Sequence, residues 1–437
     1  MKRIFCAILL TVFAIGIARA DCAENEFAYT DQSTGDVTCI ESKFQITTID
    51  MESDTVFSFS VGMVNGVLYI DWGDGTTEKQ MLDNSMRSIT HTFIDGGPRI
   101  IQFGSVITSY NTQNNINHYT VRFNNNTNIA ELNGSLGRLF PSIGNRQPDF
   151  NGTFVGCKNL TKISKNLFSG ILGQPRQFMF RQTFKGCSKL GNFPDNMGNL
   201  SGAPTSYLFY ETFYDCGNLT EKIPSGLFGQ MDGVIADNAF KGTFQGCKNI
   251  YGTIPPGLFG TLSGTPKANM FDGTFNGCAK LVGYIPSNLF GSITNTPVQN
   301  NMMRDIFYNT KVYTKCPCGT RQYITGFENY WSDRVSCQVG KKSNEHWNNG
   351  VCTTDCELGF TTLKTSNNLE YPILTDATSQ HSINVGVGND VCHVPLANGA
   401  ANNAINASFG GATYHATVPD EIVPTGFTGQ PAPVEPD

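Results

Sequence analysis

The sequence predicts an α+β multidomain protein with an N-terminal β-sandwich, a central solenoid of about seven short helix/turn repeats, and a C-terminal cysteine-rich and β module. Three observations predict this organisation. A sequence motif of Phe, Gly, Cys and Leu recurs in the middle of the chain, and the cysteines of successive copies are 30, 29, 31 and 31 residues apart. Short alternating runs of apolar and polar residues precede the repeats. Six further cysteines follow them.

Residues 1–20 have the pattern of a signal peptide, because Lys2 and Arg3 precede an apolar run and Ala18-Arg19-Ala20 fits a cleavage site. We therefore expect an exported protein, secreted or at the cell surface. The run is too short to span a bilayer and no later segment approaches that length, so no transmembrane segment is expected. A lipid anchor on Cys22 is the weaker alternative, because Asp21 stands where such a motif has a small residue.

The first mature segment, residues 21–43, contains Cys22 and Cys39, and export makes a disulfide between them plausible. Residues 44–118 carry period-two runs separated by turn residues, which predict a small β-sandwich. Within it, Asp71-Trp72-Gly73-Asp74-Gly75 is followed by His91-Thr92-Phe93 and Gly96-Gly97. This order resembles the PKD domain, an immunoglobulin-like sandwich, and the resemblance implies a spacer or interaction module on an extracellular protein.

Asp71 and Asp74 offer oxygen atoms to calcium, but they lack the regular spacing of a calcium loop. Aspartate before glycine commonly builds a turn through its own side chain, so we favour a structural role and leave calcium open as the alternative. Trp72 and His91 are expected to be core and strand-pairing residues.

The repeat region, residues 119–315, places one Phe seven residues and another three residues before each repeat cysteine. With the Leu or Ile that follows, the apolar positions run i, i+4, i+7 and i+10, which predicts one face of a short helix. Proline then ends each predicted helix. The conserved spacing marks a buried spine formed by Phe154, Cys157, Phe184, Cys187, Phe213, Cys216, Phe244, Cys247, Phe275 and Cys278.

The spine cysteines are predicted to be free, buried thiols, because stacked helices would hold them too far apart to bridge. Stacked strands, the alternative, would bring neighbours within bridging distance. A metal site is not expected, since each repeat supplies a single ligand. Triplets such as Asn159-Leu160-Thr161 match glycosylation acceptors, but their fixed place in the repeat is explained by a turn role.

The segment Phe154-Val155-Gly156-Cys157-Lys158-Asn159-Leu160 and its four successors resemble the repeats of bacterial BspA-like leucine-rich-repeat surface proteins. Asp215 departs from that pattern, and the units here are several residues longer. The resemblance implies a surface-exposed protein that binds a host protein or mediates adhesion, with no catalytic residues.

Residues 316–357 predict a small module held by disulfides, 358–418 a small β module, and 419–437 a disordered proline-rich tail. The disulfide candidates of this part are Cys316, Cys318, Cys337, Cys352, Cys356 and Cys392. A zinc site that uses Cys352, Cys356, Cys316 and Cys318 is a minor alternative. His346, His381, His393 and His415 have no metal-ligand spacing.

The net charge of −6 is unevenly distributed, because residues 121–315 hold 18 Lys and Arg against 10 Asp and Glu, or +8. We expect either an ordinary solvated surface or a basic face for an anionic partner.

No catalytic or cofactor motif emerges, so the prediction is a non-enzymatic adhesion or binding protein. Its expected ligand is a host or matrix protein or an anionic glycan, not nucleic acid. The alternatives are a catalytic or accessory protein of polysaccharide degradation, and a structural envelope protein. The oligomeric state stays open.

Overall fold

The structure, a computed structural model, describes residues 22–286, 288–294 and 299–314, and beyond them only seven short strands. The described part is almost entirely β, and its one helix is the four-residue α1 (Leu136–Leu139). The predicted α+β class is therefore wrong. The predicted signal peptide, the proline-rich tail and Cys316, Cys318, Cys352 and Cys356 lie outside the described residues, and Cys337 and Cys392 are described only as strand positions.

The N-terminal part consists of ten strands. They are β1 (Glu26–Thr30), β2 (Val37–Glu41), β3 (Phe44–Thr48), β4 (Thr55–Val61), β5 (Val64–Asp71), β6 (Thr77–Asp83), β7 (Arg87–Phe93), β8 (Ile100–Tyr110), β9 (Val121–Arg122) and β10 (Ile129–Gly134). Strands β1 and β2 form a hairpin. The others form two sheets, one in the order β7-β4-β9 and one in the order β10-β3-β8-β5-β6, which β11 (Lys162–Ile163) extends beyond β10.

The two sheets pack face to face because alternate residues of their strands are apolar and point inward. Phe57 and Phe59 of β4 are buried, whereas Val56, which precedes Phe57 and points to the other face, is 56% exposed. The Phe59 ring meets that of Phe103 on the opposite sheet at 5.6 Å between centroids. Trp72, at the end of β5, is fully enclosed and packs against Phe57. This part is a β-sandwich, as its alternating runs predict.

The sandwich and the repeats share a sheet. Strand β10 pairs antiparallel with β3 of the sandwich and parallel with β11 of the first repeat. The buried apolar residues form one cluster that continues from Phe44 in the sandwich to Val312 in the last described repeat. The larger sheet of the sandwich therefore continues into the first repeat, and the two units share one core.

The repeats form a β-solenoid of about six coils. Each coil has a segment of consecutive tight turns, the turn wall, which includes residues 150–157 and their equivalents. The first strand wall then follows, with β11, β15 (Tyr251–Gly252), β17 (Lys280–Tyr284) and β19 (Lys311–Thr314). The second strand wall is β12 (Leu172–Gly173), β13 (Asn199–Gly202), β14 (Gln230–Val234), β16 (Thr261–Gly264) and β18 (Ser292–Ile293). All strands of the second wall pair in parallel with their neighbours, as do β15, β17 and β19 of the first wall, whereas β11 pairs with β10 and not with β15.

Backbone hydrogen bonds along the turn wall alternate between two directions. The N–H groups of Phe150 and Phe154 donate to carbonyls of the next coil, at residues 179 and 183, over 2.8 Å. The N–H groups of the residues on either side of Phe154, at 153 and 155, donate back three residues along the chain. Every second donor thus joins coils and the others close turns, so the buried backbone is satisfied without a helix.

The conformation of the turn wall explains why the helix prediction is wrong. A residue with positive φ recurs every fourth position, as at Gly242 and Gly246, with φ of 61° and 80°. Four-residue turns and an α-helix both bring positions i, i+4 and i+7 to one side, so the apolar spacing does not separate them. The glycine that recurs at the positive-φ positions does distinguish the turns from a helix, because glycine readily adopts positive φ and destabilises a helix.

The solenoid core consists of stacked phenylalanine rings. In the longest column the rings of successive coils are 5.4–5.8 Å apart between centroids. This column contains Phe123, Phe154, Phe184, Phe213, Phe244, Phe275 and Phe307. Burial of one such ring contributes roughly 1.5–3 kcal/mol. A single coil exposes its rings on both sides, so the coils stabilise one another by stacking.

Seven strands follow the described solenoid. The first, β20 (Ser336–Cys337), pairs in parallel with β19. The other six form three antiparallel hairpins: β21 (Thr362–Lys364) with β22 (Glu370–Pro372), β23 (His381–Val387) with β24 (Asp390–Leu396), and β25 (Ile405–Phe409) with β26 (Ala412–Ala416). Across the described ranges, no helix has the length and apolar character needed to cross a membrane.

Candidate ligand-binding surfaces

The first strand wall and its adjoining corner carry a row of exposed lysines. Six successive coils each contribute at least one, so the row extends over five coil-to-coil steps, or about 24 Å at the usual strand spacing. The eight residues are Lys158, Lys162, Lys165, Lys189, Lys222, Lys248, Lys280 and Lys311. We call this set the lysine row. The lysines occupy several different positions of the repeat, and stacking of the coils brings this stretch of each coil to the same side of the solenoid.

Most of the lysine row has no anionic partner among the described residues. Lys165 forms an ion pair with Glu221, with Nζ–O distances of 2.8 and 2.9 Å, and Lys189 donates to the Asn159 amide oxygen at 2.8 Å. The other six lysines form no side-chain hydrogen bond or ion pair in the described part of the chain. Glu221 also accepts from the Phe193 N–H at 3.0 Å, so its charge is shared. The row therefore leaves a strip of uncompensated positive charge.

Cations on the turn wall are instead neutralised locally. Lys185 pairs with Glu211 and lies 4.6 Å from the centroid of the Tyr214 ring. Lys241 and Arg304 both approach Asp272, each with an N–O distance of 3.0 Å. The excess positive charge of the repeats is thus most available to solvent on the lysine row.

A second surface feature is a polar cleft where the sandwich meets the solenoid. The cleft has a volume of about 490 Å³. Three segments form its lining: the chain that leaves β8, the loop after α1, and the start of the second strand wall. The lining residues are Asn111, Thr112, Asn114, Gly144, Asn145, Arg146, Gln147, Leu172, Gly173, Gln174, Pro175 and Arg176.

Asp149 lies next to Arg176 of the cleft lining and is completely buried. Its Oδ1 accepts the Asn151 N–H at 3.0 Å, but Oδ2 has no hydrogen-bond partner, and the Arg176 Nε is 3.9 Å from it. Burial raises the pKa of Asp149 to about 7, although the positive charges of Arg176, Arg122 and Arg181 act in the opposite direction. Desolvation dominates because the nearest arginine is beyond hydrogen-bond range.

None of the family models, curated proteins or solved structures compared with this chain matches it. The resemblances to BspA-like repeats and to the PKD domain therefore stay predictions from sequence motifs.

The aspartates weighed as calcium ligands form hydrogen bonds within their turn. Asp71 Oδ1 accepts the Gly73 N–H at 2.9 Å, and Asp74 Oδ1 accepts the N–H and hydroxyl of Thr76 at 3.0 and 2.6 Å. Asp74 Oδ2 lies 2.6 Å from Nε2 of His91. Burial would raise the pKa of Asp74, but these hydrogen bonds lower it below its ordinary value. Asp71 Oδ2 also accepts from Gln102 Nε2 at 3.3 Å, so all four carboxylate oxygens have protein partners, which favours a structural role for both residues.

The cysteines of the described part have two different environments. Cys22 and Cys39 form a disulfide across the β1–β2 hairpin, so the nearby Glu26 and these two sulfur atoms do not constitute a metal site. The five spine cysteines are free and fully buried, and each thiol donates to a phenylalanine carbonyl of the preceding coil at 2.9–3.2 Å. The spine phenylalanines are also fully buried. The spine is therefore closed to ligands.

The asparagines of the glycosylation-like triplets connect coils. Nδ2 of Asn159 donates to the Thr127 carbonyl at 2.9 Å, and Nδ2 of Asn218 donates to the Lys189 carbonyl at 3.2 Å. A structural role therefore accounts for their fixed position in the repeat.

Neither candidate surface is evident residue by residue in the sequence. The charge excess of residues 121–315 indicates a basic surface, but lysines at several different repeat positions make up the row, so no motif marks it. The cleft combines residues from three segments that are far apart in the chain, and folding alone brings them together.

Proposed function

We propose that this protein is an exported, non-enzymatic binding protein whose solenoid holds an anionic polymer, such as an acidic or sulfated glycan, along the lysine row. The observation that carries the proposal is the run of exposed lysines over six coils with only one ion pair among the described residues. A linear polyanion matches positive charge that extends over six coils better than a compact ligand does. Lysines suit this role because their flexible ammonium groups adapt to different anion spacings.

A binding role also accounts for the rigid scaffold. The backbone of each coil is hydrogen-bonded to its neighbours and the core is filled by rings, so the row has a fixed direction and length. Charges held on a rigid surface lose less conformational freedom on binding than charges on a flexible tail.

The test uses the full chain and immobilised heparin as the polyanion. Three lysines from successive coils are replaced together, as Lys222→Gln, Lys248→Gln and Lys280→Gln. The expected result is elution at lower salt and a loss of affinity of at least about tenfold, or roughly 0.5 kcal/mol for each lost charge. The salt dependence should also weaken, because fewer charges take part in binding.

A matched triple variant removes the same formal charge away from the row, as Lys79→Gln, Lys241→Gln and Lys267→Gln. It should retain most of the affinity of the unmodified protein. Equal losses in the two triples would mean that net charge alone causes the retention. Absence of salt-sensitive binding by the unmodified protein to heparin, hyaluronate or polyglutamate would overturn the proposal.

A further inference from the structure

The polar cleft has features of a small-molecule site separate from the lysine row. Its volume of about 490 Å³ lies within the range typical of ligand pockets. The loops that line it come from both the sandwich and the solenoid, and junctions between such units are frequent places for ligand sites.

The floor of the cleft is held in place by internal hydrogen bonds. Gln147, which is 5% exposed, accepts from the Ser142 hydroxyl at 2.5 Å and donates to the Leu172 carbonyl at 2.6 Å. Arg176 donates to the carbonyls of Asn111 and Gln113 at 3.1 and 2.7 Å. Side chains that already make these bonds need not rearrange when a ligand enters, which lowers the entropic cost of binding.

The rim offers polar groups that the protein does not use. Arg146 is exposed, and its guanidinium group makes no hydrogen bond or ion pair with the other described residues. Thr112, Asn114, Asn145 and Gln174 are also exposed around the opening. Carboxamides both donate and accept hydrogen bonds, so they match sugar hydroxyl groups, which have the same dual capacity.

The charge and the apolar side chains of the lining indicate which class of ligand the cleft would accept. The lining contains two arginines, no aspartate or glutamate, and only Leu172 and Pro175 as apolar side chains, as far as the cleft is described. A guanidinium group pairs with a carboxylate through two parallel hydrogen bonds. A small apolar patch is enough to receive the C–H face of one sugar ring.

We propose that this cleft binds a single carboxylated sugar residue of the uronic acid class, with Arg146 on the carboxylate and the rim amides on the hydroxyl groups. Arg176 adds positive charge from below without direct contact being required. The inference does not depend on polymer binding by the lysine row, which is on a different wall of the solenoid.

The experiment titrates the full chain with methyl glucuronoside and, in parallel, with methyl glucoside, which lacks the carboxylate. Isothermal calorimetry or ligand-detected NMR should find the glucuronoside bound at least about tenfold more tightly. Arg146→Ala should reduce its affinity by a similar factor, and Arg146→Lys should retain part of it, because lysine keeps the charge but not the paired donors.

A second variant guards against a purely structural effect of Arg146. Asn145→Asp places a carboxylate at the rim and should weaken binding of the glucuronoside, through charge repulsion, more than binding of the glucoside, which loses only the amide donor. The Lys222, Lys248 and Lys280 triple variant should bind the glucuronoside normally, so a failure of polymer binding stays distinguishable from a failure here. Equal binding of the two sugars, no binding of either, or unchanged affinity in the Arg146→Ala variant would overturn the proposal.

Discussion

Single residues decide which side chains the turn wall accepts. One of its positive-φ positions is glycine in most coils but Asp215 in the third, with φ of 56°. In the next coil Gly246 lies directly over that side chain, and an added Cβ would come within 2.2 Å of the Asp215 Oδ1. Gly156 has the same relation to Asn125, at 2.3 Å. An aspartate or asparagine in this column therefore requires glycine in the following coil, a rule that pairs residues about 30 positions apart and that single-repeat analysis does not reveal.

The buried Asp149 gives the first coil a pH dependence. Its pKa of about 7 in the folded protein lies above its ordinary value of 3.8, so the folded state keeps a proton that the unfolded chain has released between these values. The contribution to stability is complete below about pH 4 and is lost as the pH rises through about 7. If Asp149 titrates independently of its neighbours, its contribution to the free energy of unfolding falls by at most about 4 kcal/mol over this pH range.

Replacement of the Asp149 carboxyl group tests whether it lowers stability as the pH rises. The Asp149→Asn variant has no proton to release, so its free energy of unfolding should fall less than that of the unmodified protein between pH 5 and pH 8. Urea unfolding at several pH values measures the difference. Parallel pH profiles for the two proteins would show that Asp149 titrates alike in the folded and unfolded states. Asp195→Asn, at an exposed position, serves as the control.

At the scale of one element, the sequence identifies the inward residues of the turn wall but not its backbone path. Phe154, Cys157 and Leu160 are all fully buried, as their spacing predicts. The spacing is shared by helices and by runs of four-residue turns, and only the phase of Gly152 and Gly156 separates the two. The choice between these paths depends on hydrogen bonds to the next coil, which are non-local. This is why the buried residues were predictable and the helix was wrong.

The burial of the five spine cysteines predicts that their thiols are unreactive in the native protein. Burial raises the pKa of Cys157 to about 12, and it raises the pKa values of the other four spine cysteines above their ordinary value as well. Since the thiolate is the reactive form, iodoacetamide should leave these cysteines unmodified in the native protein at pH 8 and alkylate them after unfolding. Mass spectrometry of the peptides that contain Cys187 and Cys216 measures this. Rapid alkylation without denaturant would contradict the closed column.

At the scale of the whole molecule, Phe123 joins the sandwich to the solenoid. Its ring stacks on Phe59 of the sandwich at 4.9 Å and on Phe154 of the first coil at 5.5 Å. The sequence predicts both units from local patterns. Their shared core depends on contacts between residues far apart in the chain, so the sequence does not indicate it. The cleft at the same junction was missed for that reason.

Removal of this ring should weaken both units together. Phe123→Ala is expected to lower the free energy of unfolding by about 3–5 kcal/mol, because it leaves a cavity between two ring stacks. Hydrogen exchange should become faster in β4 and in the first coil. In contrast, Phe271→Ala, which opens a cavity far from the sandwich, should accelerate exchange in the solenoid only. Unchanged exchange in β4 of the Phe123→Ala variant would mean that the units are energetically independent.

The alternating hydrogen bonds of the turn wall also bear on how such a chain changes length. Each coil donates N–H groups to the next coil and offers its own carbonyl groups to the preceding one, so duplication of a 29- to 31-residue unit that has glycine at the Gly246 position repeats the same backbone hydrogen bonds at the new junction. Growth by whole units would lengthen the lysine row in steps of about 4.8 Å without redesign of the core. Tandem duplication therefore provides a direct evolutionary route to solenoids with more coils and a longer exposed wall.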